Sequence, residues 1–123
     1  MEKDYRMYIL VNKDVKIGKG KLAGQVGHAV AVYYWQAMSG SRITKEEQDE
    51  RKELLDIYMN TTQKKIILFA TQDKLEELEA EGYIAIRDKG LTQLEPNTLT
   101  CVNVGLYEAH DVPDWIKKLK LVN

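Results

Sequence analysis

Two short stretches of the chain concentrate the residue types that chemistry needs. Lys16–Ala29 reads KIGKGKLAGQVGHA: Gly18 and Gly20 flank Lys19, Lys21 follows, and Gln25 and His28 come after at helical spacing. At about 100° per residue, Lys21, Gln25 and His28 fall within roughly 60° of one another on a helix. An apolar stripe of Leu22, Val26, Ala29, Tyr33 and Ala37 lies beside them, which would leave the polar three along one edge of a half-buried helix. Backbone N–H groups at a helix N-terminus, joined by lysine charge, make a site for an anion. The plainer alternative is a flexible turn with solvated lysines and a surface histidine.

The second stretch, Asp88–Thr100, reads DKGLTQLEPNTLT. Asp88 closes an apolar run, Gly90 permits a positive φ, and Thr92 follows it. Glu95-Pro96-Asn97 is a turn signal, since proline presets the first central position. Thr98 and Thr100 then start a strand on one face, with Leu99 and Cys101 expected on the other. Singly, each is an ordinary turn or strand residue. Together they place a carboxylate and hydroxyls at strand ends, where open α/β sheets bind ligands.

Two better-known glycine motifs fit poorly. A Walker loop needs a hydroxyl after Gly20-Lys21, but Leu22 stands there, and position 15 is valine rather than glycine. The run Gly18 to Ala23 matches a relaxed G-x-G-x-x-A dinucleotide pattern. A second helix follows, however, rather than a strand ending in a ribose-binding acid.

The elements that must position these stretches follow from periodicity. Tyr8–Val11 and Lys65–Ala70 (KIILFA) read as buried strands, with Tyr83–Ile86 and Leu99–Val104 as a third and fourth. Helices are expected from about Lys21 to Met38, from Thr44 to about Met59 behind a cap and acidic first turn, and from Thr71 to Glu81, stopped by Gly82. A last short helix is expected over Val112–Lys118. This alternation predicts an α/β three-layer sandwich over one domain, 1–123, with an about four-stranded mixed β-sheet and helices on both faces.

The composition, 44% hydrophobic and 30% charged, is that of an ordinary soluble protein. No apolar run approaches the ~20 residues that span a bilayer, and the N-terminus lacks a signal peptide's apolar stretch, so no membrane partner and a cytoplasmic location are expected. Cys101, the only cysteine, allows no internal disulfide and no cysteine-based zinc site. A net charge of −1 argues against nucleic-acid binding through a global positive field. It leaves room for a local patch: four lysines (Lys13, Lys16, Lys19, Lys21) stand against Asp14 between Val11 and Leu22.

The two stretches together resemble the type-two peptidyl-tRNA hydrolases. That family's hallmark is a strand, a stretch like MGKGK-x-AAQ-x-x-HA, and much later DAG-x-TQ-x-x-PG-[ST]-x-T. Here IGKGKLAGQVGHA and DKGLTQLEPNTLT stand in that order, and the tail KKLKLV is similar to the family's closing segment. The resemblance runs from Tyr8 to Val122. It implies hydrolysis of the ester joining a peptide to the 3′-terminal ribose of tRNA, with tRNA as partner. It implies neither metal nor cofactor, because an ester with a ribose leaving group is already activated. By motif, the catalytic residues would be Lys21, Asp88, Thr92 and Thr100. Asp88 could orient and activate water, Lys21 could stabilise an oxyanion or hold the terminal phosphate, and the threonines could hydrogen-bond substrate or water. Lys13, Lys16, Gly18, Lys19, Gly20, Gln25, His28 and Thr98 would bind substrate, the loop lysines along the acceptor-stem phosphates. Family members are often dimers, so a homodimer is also expected. The chain departs from the hallmark at Lys89, Gly24 and Ile17, and Lys117-Lys118 replace a Gly-His pair in the tail. A non-catalytic RNA- or protein-binding module, or a paralogue with another ester or acyl substrate, stays open on the same fold.

Overall fold

The computed structural model describes residues 3–90 and 94–123. Its elements run β1 (Tyr5–Asn12), α1 (Lys19–Ser39), α2 (Lys45–Met59), β2 (Lys65–Ala70), α3 (Gln72–Ala80), β3 (Ile84–Arg87), β4 (Leu99–Glu108) and α4 (Asp114–Lys117). The strands form one mixed sheet in the order β2-β1-β4-β3. β1 and β2 are parallel, and β4 is antiparallel to both β1 and β3. Strands β1, β2 and β3 therefore end at the same edge of the sheet, where β4 begins.

The central strand β1 is buried from Met7 to Asn12 because helices cover both faces, which is why its sequence is a continuous apolar run. Met7, Ile9 and Val11 pack with Ala29, Tyr33 and Ala37 of α1 and Leu55 and Tyr58 of α2. Tyr8 and Leu10 face the other way, onto Leu75 and Leu78 of α3 and Ile116 of α4. The three-layer arrangement follows from this alternation.

Both short-connection helices obey the usual capping chemistry. Thr44 accepts from Glu47 N–H at the start of α2, and Thr71 from Lys74 N–H at the start of α3. At the β2 edge the C-terminal tail supplies the missing neighbour: Phe69 N–H donates to Lys120 O (2.9 Å) and Val122 N–H to Ile67 O (3.0 Å).

Two expectations need correction. Helix α1 begins at Lys19, so Lys19 and Gly20 belong to its first turn rather than to the loop. Cys101 does not face away from Thr100. The β3–β4 register slips between Ile86 and Arg87, so that Ile86 pairs with Cys101 and Arg87 with Leu99. Thr100 is the extra residue of this β-bulge, and Thr100 and Cys101 both turn toward α1. Strand β4 also continues past Val104 to Glu108, with Tyr107 edge-on to Tyr8 at 5.9 Å between ring centroids.

Candidate active site

The site is built where β3 ends, β4 begins and α1 starts. Asp88 continues β3 by one residue: its N–H donates to Thr98 O (2.8 Å) and its carbonyl accepts from Asn97 N–H (2.6 Å). Its carboxylate is 4% exposed and is held from both sides. Lys21 Nζ lies 2.5 Å from Oδ1, and Gly90 N–H donates to Oδ2 at 2.7 Å. Gly90 sits at φ +75°, where an added Cβ would meet Pro96 Cγ at 2.6 Å and Pro96 Cα at 2.7 Å. Only glycine fits that bend, so the donor to Oδ2 is fixed by backbone geometry. The hydrogen bond from Lys21 is the main cause holding the Asp88 carboxyl below the usual 3.8, with the Gly90 N–H and the Lys21 charge adding to it against desolvation. Asp88 is therefore an ionised acceptor at neutral pH.

Gln25 is only 7% exposed, so it belongs to the buried face of α1 rather than to an open polar edge. The bulge explains this. It turns Thr100 toward α1, where its hydroxyl lies 2.8 Å from Gln25 Oε1 and 3.0 Å from Ile86 O. A hydroxyl has one proton and cannot donate to both. Turning the Gln25 amide lets Nε2 donate to the hydroxyl while the hydroxyl donates to Ile86 O, which satisfies all three groups. Thr100 thus ties α1 to β3 immediately behind Asp88.

Lys21, Gln25, His28 and Val32 of α1 face Ala85–Lys89 across an open groove of ≈ 570 Å³. His28 is exposed on its wall. Thr98 serves the turn, its hydroxyl donating to Glu95 O at 2.7 Å. Thr92 lies outside the described residues. A groove of similar size, ≈ 550 Å³, lies between α1, α2 and the far ends of β3 and β4. There Arg51 is committed to Gln36 Oε1 (2.7 Å) and to the Tyr33 ring (4.3 Å). That groove holds no counterpart of the Lys21–Asp88 pair among the described residues.

The loop before α1 carries Lys13 and Lys16, and the first turn of α1 carries Lys19, all exposed. Gly18, also exposed, is the N-cap of α1; among the described residues no side chain caps that helix, and its first turn holds no acid. With Lys19 and Lys21 there instead, the first turn adds positive charge at the positive end of the dipole, the reverse of the acidic first turns of α2 and α3. Gly20 and Gly24 are open on the helix surface, with nothing within 4 Å of an added Cβ.

One anchor of this loop escaped sequence reasoning. Asn12 is 1% exposed and ends β1; its Nδ2 donates to Leu99 O (2.8 Å) and to Gln72 Oε1, while its Oδ1 accepts from Asp14 N–H (2.9 Å). Its signal was a polar residue closing an apolar run. Asp14 in turn accepts from Gln72 N–H at 2.8 Å, so the acid among the loop lysines is turned toward α3. Among the described residues, no group of three or more His, Cys, Asp or Glu could hold a metal ion. No helix of the described residues is long and apolar enough to cross a membrane.

Comparison with known proteins places the chain in a family. The family described as Peptidyl-tRNA hydrolase PTH2 matches residues 5–122. A peptidyl-tRNA hydrolase of Thermoplasma volcanium is 34% identical over 125 residues, covering 95% of this chain and 97% of its own. That of Sulfolobus acidocaldarius is 35% identical over 107 residues, covering 81% and 85%. A third, of Thermococcus sibiricus, is 33% identical and covers 96% and 98%. From its first strand to its C-terminal tail, the chain belongs to the peptidyl-tRNA hydrolase PTH2 family.

Proposed function

We propose that this chain hydrolyses the ester between a peptide and the 3′-terminal ribose of tRNA at the Lys21–Asp88 pair. The observation that carries the assignment is the 2.5 Å contact between these two largely buried charges, from elements far apart in sequence, in the lining of the groove.

The chemistry divides between them. A general base works best with a pKa near the operating pH. Asp88, held below the usual carboxylate value, is a weak base and acts chiefly by orienting water through an oxygen lone pair. Lys21 supplies positive charge beside the attacked carbonyl, where an oxyanion develops. Thr100 acts as a positioning residue, fixing Gln25 against Ile86 O so that α1 and β3 hold the pair in register. Thr92 is assigned by motif alone.

The tRNA end is bound by charge. Lys13, Lys16 and Lys19, with the uncapped N-terminus of α1, form the positive surface that receives acceptor-stem phosphates. The open helix surface at Gly20 and Gly24 leaves room for backbone there.

The test is release of the acyl group from N-acetyl-aminoacyl-tRNA by the purified protein, with Asp88→Ala beside it. Turnover that falls at least ~100-fold in the variant supports the assignment. Salt-sensitive tRNA binding without turnover would make the chain a binding module instead.

A further inference from the structure

Strand β3 is the last strand of the sheet, so one of its backbone edges has no strand beside it among the described residues. Which groups face outward follows from the pairing. Asp88 directs its N–H and C=O toward the β4 side, to Thr98 O and from Asn97 N–H. In an antiparallel pair this direction alternates, so Ile86 and Ile84, opposite Cys101 and Asn103, also face β4. The N–H and C=O groups of Ala85 and Arg87 therefore point outward.

Exposed edges are normally covered or blunted. At the other end of the sheet the tail covers β2, through Lys120 and Val122. At β3 the open edge instead borders the groove that holds Lys21 and Asp88, with His28 and Val32 across from it.

We propose that the peptide part of the substrate lies along this edge of β3 as an added strand, held by its main chain. The inference rests on the hydrolase assignment and deepens it. The scissile carbonyl must reach Lys21 and Asp88, at the C-terminal end of β3. The peptide extends from that carbonyl toward its own N-terminus, back along Arg87, Ile86 and Ala85. It therefore runs parallel to β3. In a parallel pair, the peptide residue opposite Ile86 donates its N–H to Ala85 O and accepts Arg87 N–H on its carbonyl. At about 3.3 Å per residue, a strand as short as β3 engages roughly three or four peptide residues. Main-chain bonding gives affinity without reading side chains, which suits a substrate whose peptide can have any sequence.

The experiment compares peptidyl-tRNAs of one to six residues, then four-residue substrates in which one peptide nitrogen at a time is methylated or replaced by oxygen. The expected kcat/KM rises by about tenfold up to three or four residues and then levels. Both N–H replacements lower it by about tenfold at alternate positions and leave the positions between unchanged. Rates indifferent to length and replacement, with hydrolysis intact, would overturn the added strand and leave the hydrolase assignment standing. A uniform loss at every position would overturn it too. Absence of hydrolysis for every substrate would remove both.

Discussion

Exchanging one oxygen of Asp88 for nitrogen, by Asp88→Asn, tests the pair most directly. Each carboxylate oxygen faces a donor: Lys21 Nζ at 2.5 Å on one side and Gly90 N–H at 2.7 Å on the other. An amide has only one acceptor oxygen, so its NH₂ must confront a donor. The Gly90 N–H is fixed by backbone, whereas Lys21 ends a flexible stem. The amide oxygen therefore stays on Gly90, and the NH₂ displaces the ammonium from its place. Asp88→Asn thus removes the carboxylate proposed to orient water and misplaces the cation in one step, and kcat is expected to fall by roughly 10²–10⁴. Lys21→Met should fall by roughly 10²–10³ on its own. Because the residues act as a unit, the double variant should be about as poor as Asp88→Asn alone. Single-turnover acyl release at saturating enzyme reads the chemical step. Multiplying losses in the double variant, or an Asp88→Asn loss under tenfold, would refute the argument.

Further outcomes follow from the same geometry. Asp88 titrates below 3.8, so its ionised form persists as pH falls from 7 to about 4.5, and kcat/KM should stay flat there; a limb between about pH 6 and 7 would assign proton transfer to an imidazole instead. Replacing Lys13, Lys16 and Lys19 by alanine singly should reduce the slope of log K against log salt for tRNA by about 0.7–0.9 for each phosphate no longer neutralised, with kcat at saturation unchanged. Gly24→Ala should stabilise the protein by ~1 kcal/mol in urea titration, since its Cβ meets nothing, while Gly90→Ala should destabilise it by at least ~1–2 kcal/mol through φ +75° and the Pro96 clash. Burial pushes the Cys101 thiol up to about 12, opposed by its bond with Thr100, so a thiol reagent at pH 8 should label it only as fast as the protein opens.

Much of this was legible because helices and buried strands announce themselves by period. The continuous run in β1, the Thr44 and Thr71 helix starts and the glycine stop at Gly82 all lie where local rules put them. What was not legible depends on pairing between distant segments. Alternation put Cys101 opposite Thr100, but a bulge is set by register against Ile86, which no local pattern encodes. The same slip decided that Gln25 is buried, although its helical angle placed it beside Lys21. Asn12 escaped for a related reason: its partners Gln72 and Leu99 are distant in sequence, and only the sheet order brings them to the end of β1. The Lys21–Asp88 contact itself could be guessed from motif, but its depth could not.

That depth implies a separation of tasks among the lysines. Lys21 is 15% exposed and its charge is matched by Asp88, so the pair adds little to the field that a distant tRNA meets. Lys13 and Lys16 on the preceding loop and Lys19 at the start of α1 are exposed, and Asp14 among them is bound toward α3. On the proposed assignment these three lysines attract tRNA in a salt-dependent way without altering the reacting centre, since exposed charges are screened within about 8–10 Å while a buried pair is screened much less. Binding and chemistry then respond to different perturbations. Salt should act on KM through the loop, and substitution of the buried pair should act on kcat. A chain with a net charge of −1 can bind nucleic acid on these terms, because the relevant charge is local to one loop and one helix start.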